Sequence, residues 1–215
     1  MHANYALNVF INCPFDDNYN PLLKVLLFTV CYYKFKPRIA LEQSDSSKVR
    51  LEKILDIIDE CKYGIHDLSR IKANKKDELF RFNMPFELGL DFGSKRYASR
   101  HSDKALLVMV KTKFDYMKSI SDLNGIDVKD HNGIEQDLIE KVREWFIETV
   151  GLRKLDAPLT VWYNYSAFQT KIFEDRFEKY YKNYNENTSE KMAKQDVDKM
   201  PIPEFIDEIN SFITS

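Results

Sequence analysis

Four short runs of β-branched and other apolar residues constrain the fold of this chain more than any other feature. They are "ALNVFIN" (6–12), "PRIALE" (37–42), "YGIHDL" (63–68) and "KALLVMV" (104–110). The last is almost continuously apolar, the pattern of a strand covered on both faces, which is characteristic of parallel sheets. Between the runs the periodicity becomes helical. Asn20 and Pro21 supply a cap and a first helical position, and "LLKVLLFTVCYY" continues as a helix buried on most sides. "SDSSKVRLEKILDIIDEC" (44–61) reads as an amphipathic helix with Val49, Ile54, Leu55, Ile57 and Ile58 toward the core. Such alternation implies an α/β domain, a mostly parallel sheet with helices on both faces.

After Val110 the pattern changes. Residues 115–133 mix polar residues with Asn124-Gly125 and Asn132-Gly133 turn signals, as expected of a long loop. A helix resumes over 134–150, with Ile134, Leu138, Val142, Trp145 and Phe146 at helical spacing. Between Trp162 and Tyr184 the aromatics Phe168, Phe173, Phe177, Tyr180, Tyr181 and Tyr184 form a helical stripe, expected to pack back on the sheet domain, with a dimer face as the alternative. Residues 185–200 read as a mobile connection, and a last helix starts after Pro203 with Phe205, Ile206, Ile209, Phe212 and Ile213 apolar. The expected division is an α/β domain over 1–150 and a helical extension over 151–215.

Composition excludes several function classes. A chain of 215 residues with 44% hydrophobic content can bury a full core. Lysine plus arginine total 32 against 34 acidic residues, so no basic footprint points to nucleic acid. Cys13, Cys31 and Cys61 are an odd set without CxxC or Cys/His spacing, which argues against a disulfide framework and a structural zinc. They are expected to be reduced, buried thiols of a cytoplasmic protein. The longest apolar run (21–33) falls short of the ~20 residues a membrane helix needs and carries Lys24, and "MHANYALN" lacks a secretory pattern.

Ligands of open parallel sheets bind beyond the carboxyl ends of the strands, near the point where strand order reverses. That places Asn12, Phe15, Asp16 and Asp17 after the first run, Glu42 and Asp45 after the second, and Asp67, Ser69 and Arg70 after the third. Ordinary roles compete with a site. Asp16 and Asp17 suit a turn, Asp67 and Ser69 suit backbone capping, and Arg50 suits a surface. His66 is expected to be a hydrogen-bonded core histidine, and Arg70 a loop charge that at such an edge can hold a phosphate.

Glu87, in "RFNMPFELGLDFG" (81–93), is the strongest candidate. A carboxylate in the first turn of a helix gains ~0.3–1 kcal/mol from the macrodipole. Met84, Phe86, Leu88 and Leu90, however, surround it with apolar surface. Gly89 and Gly93, each costing about 1 kcal/mol against alanine, suggest a smooth wall that a ligand or another backbone approaches closely. Asp127 and His131 in the long loop are lid candidates. Together with Asp122 they match no metal spacing, so hydrogen-bonded packing is the expected role of this loop.

"VFINCPFDDNY", then "RLEKILDIIDECKYGIHDLSR", then "FELGLDFG" resemble the superfamily that joins Toll/interleukin-1 receptor (TIR) domains with nucleoside 2-deoxyribosyltransferases. The resemblance spans roughly residues 7–110, at the level of topology. It implies a flavodoxin-like sheet with a glutamate opposite the loop after the first strand, and cleavage of an N-glycosidic bond. Glu87 would stabilise the oxocarbenium-like ribose. Asn12, Phe15, Asp16, Asp67, Ser69, Arg70 and Arg50 would bind substrate, with Phe15 and the Asp16 loop bracketing the nicotinamide ribose and Arg70 or Arg50 at the pyrophosphate. NAD would be a substrate, with no cofactor and no metal required. The long region after residue 110 suits a bacterial TIR-like NAD-consuming enzyme of anti-phage defence better than a compact transferase. Such an enzyme would make ADP-ribose or a cyclic derivative for a downstream effector, and self-association could complete its site. The alternatives are a deoxyribosyltransferase or N-glycosidase, with Asp16 or Asp67 protonating the base, and a non-catalytic nucleotide sensor or TIR-type scaffold.

Overall fold

The structure, a computed structural model, describes residues 4–42, 47, 49–70 and 82–214, with the backbone alone at 115 and 118. Asp45 and the polar loop over 71–81 lie outside the described residues. The chain divides into two compact units, 1–155 and 156–215.

The first unit is built on five parallel strands, β1 (Asn8–Asn12), β2 (Lys36–Ile39), β3 (Tyr63–Asp67), β4 (Ala105–Val110) and β5 (Lys129–Asp130), in the order β2-β1-β3-β4-β5. This is the flavodoxin-like α/β arrangement. β1 lies between β2 and β3, so strand order reverses at the β1–β3 pair, which aligns Asn12 with His66. α1 (Asn20–Tyr32) and α4 (Glu135–Glu148) pack together, as do α2 (Arg50–Glu60) and α3 (Asn83–Tyr97). The pleat sends alternate residues to opposite faces. Tyr63 meets Trp145 of α4, whereas His66 meets Asp91 of α3. Phe10, Ile54, Ile57, Ile58 and Cys61 form the core under α2, and Met84, Leu88, Val108 and Val110 the core under α3.

Several expected boundaries move. β1 is preceded by a 3-10 turn over Tyr5–Leu7, and the second run ends as strand at Ile39, where another 3-10 turn (Ala40–Glu42) begins. The amphipathic helix starts at Arg50, and Val49 and Leu55, expected inside, are exposed because its buried stripe is only Ile54, Ile57 and Ile58. The long loop is not featureless. It holds two 3-10 turns and the two-residue β5, too short to show a period in sequence.

In the second unit α5 (Pro158–Tyr181), α6 (Glu186–Asp198) and α7 (Ile202–Thr214) are joined by short turns. The expected mobile connection over 185–200 is therefore mostly helix. Asn185 caps it by accepting the Thr188 N–H, a signal hidden by the polar composition of the helix itself. Within this unit Phe168 of the aromatic stripe packs edge-on against Phe205 and Phe212, and Phe173, Phe177 and Tyr181 stack in sequence along α5. Arg176 of α5 pairs with Asp196 of α6 and with Glu204 and Glu208 of α7. No helix among the described residues is long and apolar enough to cross a membrane.

Candidate active site

Glu87 lies in the second turn of α3, not the first, so the macrodipole that decays within one turn does not account for it. With Met84, Leu88 and Asp91 it forms the buried stripe of the helix, and its own exposure is 5%. No described residue hydrogen-bonds its carboxyl. Burial pushes that carboxyl up to about 7, against the opposing pull of the Arg50 charge. Arg50 is exposed at the first position of α2.

The glycine wall is not observed. A Cβ built at Gly89 or Gly93 meets nothing within 4 Å among the described residues. Gly89 is exposed, and two residues along a helix place it about 200° around the axis from Glu87. These glycines therefore do not shape a cleft beside the carboxylate.

Three carboxylates act electrostatically on Cys13, the residue that follows β1. Burial pushes the Cys13 thiol well above its ordinary value, and the charges of Asp67, Glu87 and Asp16 push it the same way. The loops after β1 and β3 are tied together by Arg70, whose guanidinium donates to Asp16 Oδ1 at 2.7 Å, while the same oxygen accepts the Tyr19 N–H at 3.2 Å. Arg70 and Asp16 thus close the strand-reversal point. Phe15 is half-buried beside them.

Asp67, although near, works on the other face of the sheet. Its Oδ2 accepts from the Tyr19 hydroxyl of the turn before α1 at 2.5 Å and pairs with His131 Nε2, just before α4, at 2.9 Å. Its Oδ1 accepts the Ser69 N–H at 2.8 Å. Burial alone would raise the Asp67 carboxyl, but these donors, His131 foremost, outweigh it and hold the group below the usual range. His131 is fully buried and is a fixed anchor, not a lid. The Asn132-Gly133 turn behind it has both φ angles positive, and the Gly133 N–H donates to His131 Nδ1 at 3.1 Å. With Nδ1 accepting, Nε2 carries the proton and donates a hydrogen bond to the Asp67 carboxylate. Ser69 Oγ, 3.0 Å from that same Nε2, therefore has no base to take its proton, and the Ser69, His131 and Asp67 cluster is not a nucleophilic triad. Asp127, the other lid candidate, is solvent-exposed and pairs with Lys129 at 3.4 Å.

Beneath Glu87 lies a buried polar chain. Asn12 Nδ2 donates to the Met84 carbonyl at 2.8 Å and lies 3.1 Å from His66 Nδ1. His66 Nε2 is 3.1 Å from Asp91 Oδ2, and Asp91 Oδ1 is 3.0 Å from Lys104 Nζ. The ammonium also donates to the carbonyls of Ile58 and Cys61. Burial alone would raise the Asp91 carboxyl, but His66 and Lys104 hold it below its ordinary value. His66 is the hydrogen-bonded core histidine the sequence suggests. Asp91 and Lys104 are not among the residues that sequence pattern singles out, although Asp91 falls four residues after Glu87, hence on the same helical face. Compared with protein families, curated proteins and solved structures, the chain matches none.

Proposed function

We propose that the chain is a TIR-like NAD glycohydrolase or cyclase that cleaves the bond between C1′ and the nicotinamide nitrogen, with Glu87 as the catalytic carboxylate. The observation that carries this reading is a buried carboxyl with no hydrogen-bond partner among the described residues, at the carboxyl edge of the β1–β3 pair, with its acidity shifted to about 7. A structural acid in such a place would be paired, whereas an unpaired and perturbed one is typical of a reaction site.

The choice of leaving group rests on the neighbours. A purine deoxynucleoside needs its base protonated by a second, neutral carboxyl. Asp67 is held ionised by His131 and its other donors across the sheet, and Asp16 is engaged by Arg70. A cationic nicotinamide needs no acid. As its bond breaks, the electron pair goes to the ring nitrogen, which becomes neutral, and positive charge develops on the ribose beside Glu87. Water then supplies the oxygen at C1′ and releases one proton, or a second atom of the substrate closes a cyclic product. The bound cation also favours the ionised form of Glu87, so substrate binding itself readies the carboxylate. Phe15 and the Asp16 loop flank the ribose in this reading, and Arg50, rather than the engaged Arg70, meets the pyrophosphate. Self-association and an effector that senses the product in anti-phage defence belong to the same proposal.

Incubating the protein with NAD and, separately, with purine deoxynucleosides separates the readings. Free nicotinamide is expected from the first and no free base from the second. Release of base alone would instead identify a deoxyribosyltransferase or nucleosidase, and binding without turnover of either would identify a sensor.

A further inference from the structure

The Met84 carbonyl and the series Lys104–Asp91–His66 together dictate which way the Asn12 amide faces. Met84 presents a carbonyl, which only accepts, so the Asn12 group 2.8 Å from it is the NH2. The second hydrogen of that NH2 meets His66 Nδ1 at 3.1 Å, so Nδ1 is unprotonated and the proton sits on Nε2, aimed at Asp91 Oδ2. Asp91 is in turn held by the charge of Lys104, whose Nζ lies 3.0 Å from Oδ1 as an ion pair outside hydrogen-bond geometry, while the ammonium donates to two backbone carbonyls. Every donor in the series therefore has one direction available. A flipped Asn12 would set its oxygen against the Met84 carbonyl, and a reversed His66 tautomer would set N–H against N–H.

The consequence falls on the atom left over. Asn12 Oδ1 accepts no hydrogen bond from any described residue, and Asn12 is the last residue of β1, at the strand-reversal edge. Met84, on which its amide rests, is one helical turn before Glu87, and Asp91 is one turn after it. Gly64 serves the same arrangement. A Cβ there would stand 2.4 Å from Asp91 Oδ2 and 2.9 Å from His66 Nε2. A glycine in mid-strand, a buried histidine, a buried aspartate and a buried lysine are thus explained together.

We infer that Lys104, Asp91 and His66 are positioning residues that lock Asn12 as an obligate hydrogen-bond acceptor for a ribose hydroxyl at the Glu87 site, making the site selective for ribose over deoxyribose. This rests on the proposed reading that the site holds a ribosyl nucleotide, but it concerns recognition and not bond cleavage. The selectivity arises because an acceptor facing a carbon-bound hydrogen gains nothing and loses the water it had.

Binding separates the two claims. Titration calorimetry is run with ADP-ribose and with its analogues lacking the 2- or the 3-hydroxyl of the terminal ribose. The wild type is expected to bind ADP-ribose about tenfold or more tighter than one of the two analogues. Asn12→Ala is expected to lose that preference. So is the double variant Asp91→Leu/Lys104→Met, which replaces the buried pair by apolar volume and so keeps the fold while cutting the chain. A merely structural role would weaken all three ligands together and leave their ratio alone. A preference that survives in either variant overturns the inference, as does equal binding or no binding of the three ligands by the wild type. A wild-type preference that both variants lose, with no nicotinamide released from NAD, removes the glycohydrolase reading and leaves the positioning role standing.

Discussion

Glu87 is a residue the fold tolerates rather than uses. Its carboxyl shifts from an ordinary value near 4.5 to about 7 through burial, so between those two pH values the folded state binds more protons than the unfolded one. Stability is accordingly highest below the unfolded value and falls as pH rises through about 7, by on the order of 3 kcal/mol for this group. Glu87→Gln is expected to raise the melting temperature at pH 8 and to change it little at pH 5, as thermal denaturation at the two pH values would show. A variant destabilised at both would mean that the carboxylate has a structural partner. Gly89 carries the opposite lesson. Nothing among the described residues lies near its missing Cβ, so Gly89→Ala is expected to stabilise the protein by about 0.5–1 kcal/mol in denaturant titrations and to leave turnover unchanged. Sequence pattern sets the acid at 87 against buried surface because apolar neighbours bracket it, and the residue is buried. The same pattern misjudges the glycines because helical spacing, not adjacency in sequence, decides what shares a face.

At the scale of elements, the two faces of β3 do different work. Gly64 and His66 face α3 and carry the chain beneath Glu87, whereas Asp67 ties β3 to the segments preceding α1 and α4. Gly64→Ala is expected to destabilise the protein by about 2–4 kcal/mol, since the neighbours of the added methyl are a packed carboxylate, an imidazole and Leu106. Equilibrium unfolding measures this directly. Asp67→Asn is expected to cost about 2–4 kcal/mol at neutral pH. Because the Asp67 carboxyl is held below its ordinary value, its contribution is present above about pH 4 and is lost as pH falls through the folded-state value. The variant and wild type should therefore converge in acid. The strands and the helices with a strong apolar period are legible in sequence, as is the edge on which polar residues gather. The His66–Asp91–Lys104 chain is not, because it joins β3, α3 and the start of β4 through pairings that exist only once the sheet has its order. Nor is the assignment of Asp67 and Glu87 to opposite faces, which depends on which helix covers which side. α6 escapes sequence pattern because its face toward α5 is small and polar, with Ser189 and Ala193 as its buried residues.

For the whole molecule, every residue assigned to the site lies in the first unit, while the second is organised around its own aromatic contacts and the Arg176 cluster. Arg176→Ala is expected to weaken the second unit by about 1–3 kcal/mol, read as an earlier thermal transition, with kcat/KM for NAD within about twofold of wild type. The central claim, that one buried and unpaired carboxylate at the β1–β3 edge breaks an N-glycosidic bond, is tested most directly by nicotinamide release. NAD is incubated with wild type and with Glu87→Gln at the same folded concentration, and free nicotinamide is followed between pH 5 and 9. Release by the wild type that falls at low pH as Glu87 becomes protonated, and a loss in the variant of about 100-fold or more above pH 7 that narrows towards pH 5, is the predicted result. Equal release by the two proteins, or none by the wild type, would contradict it.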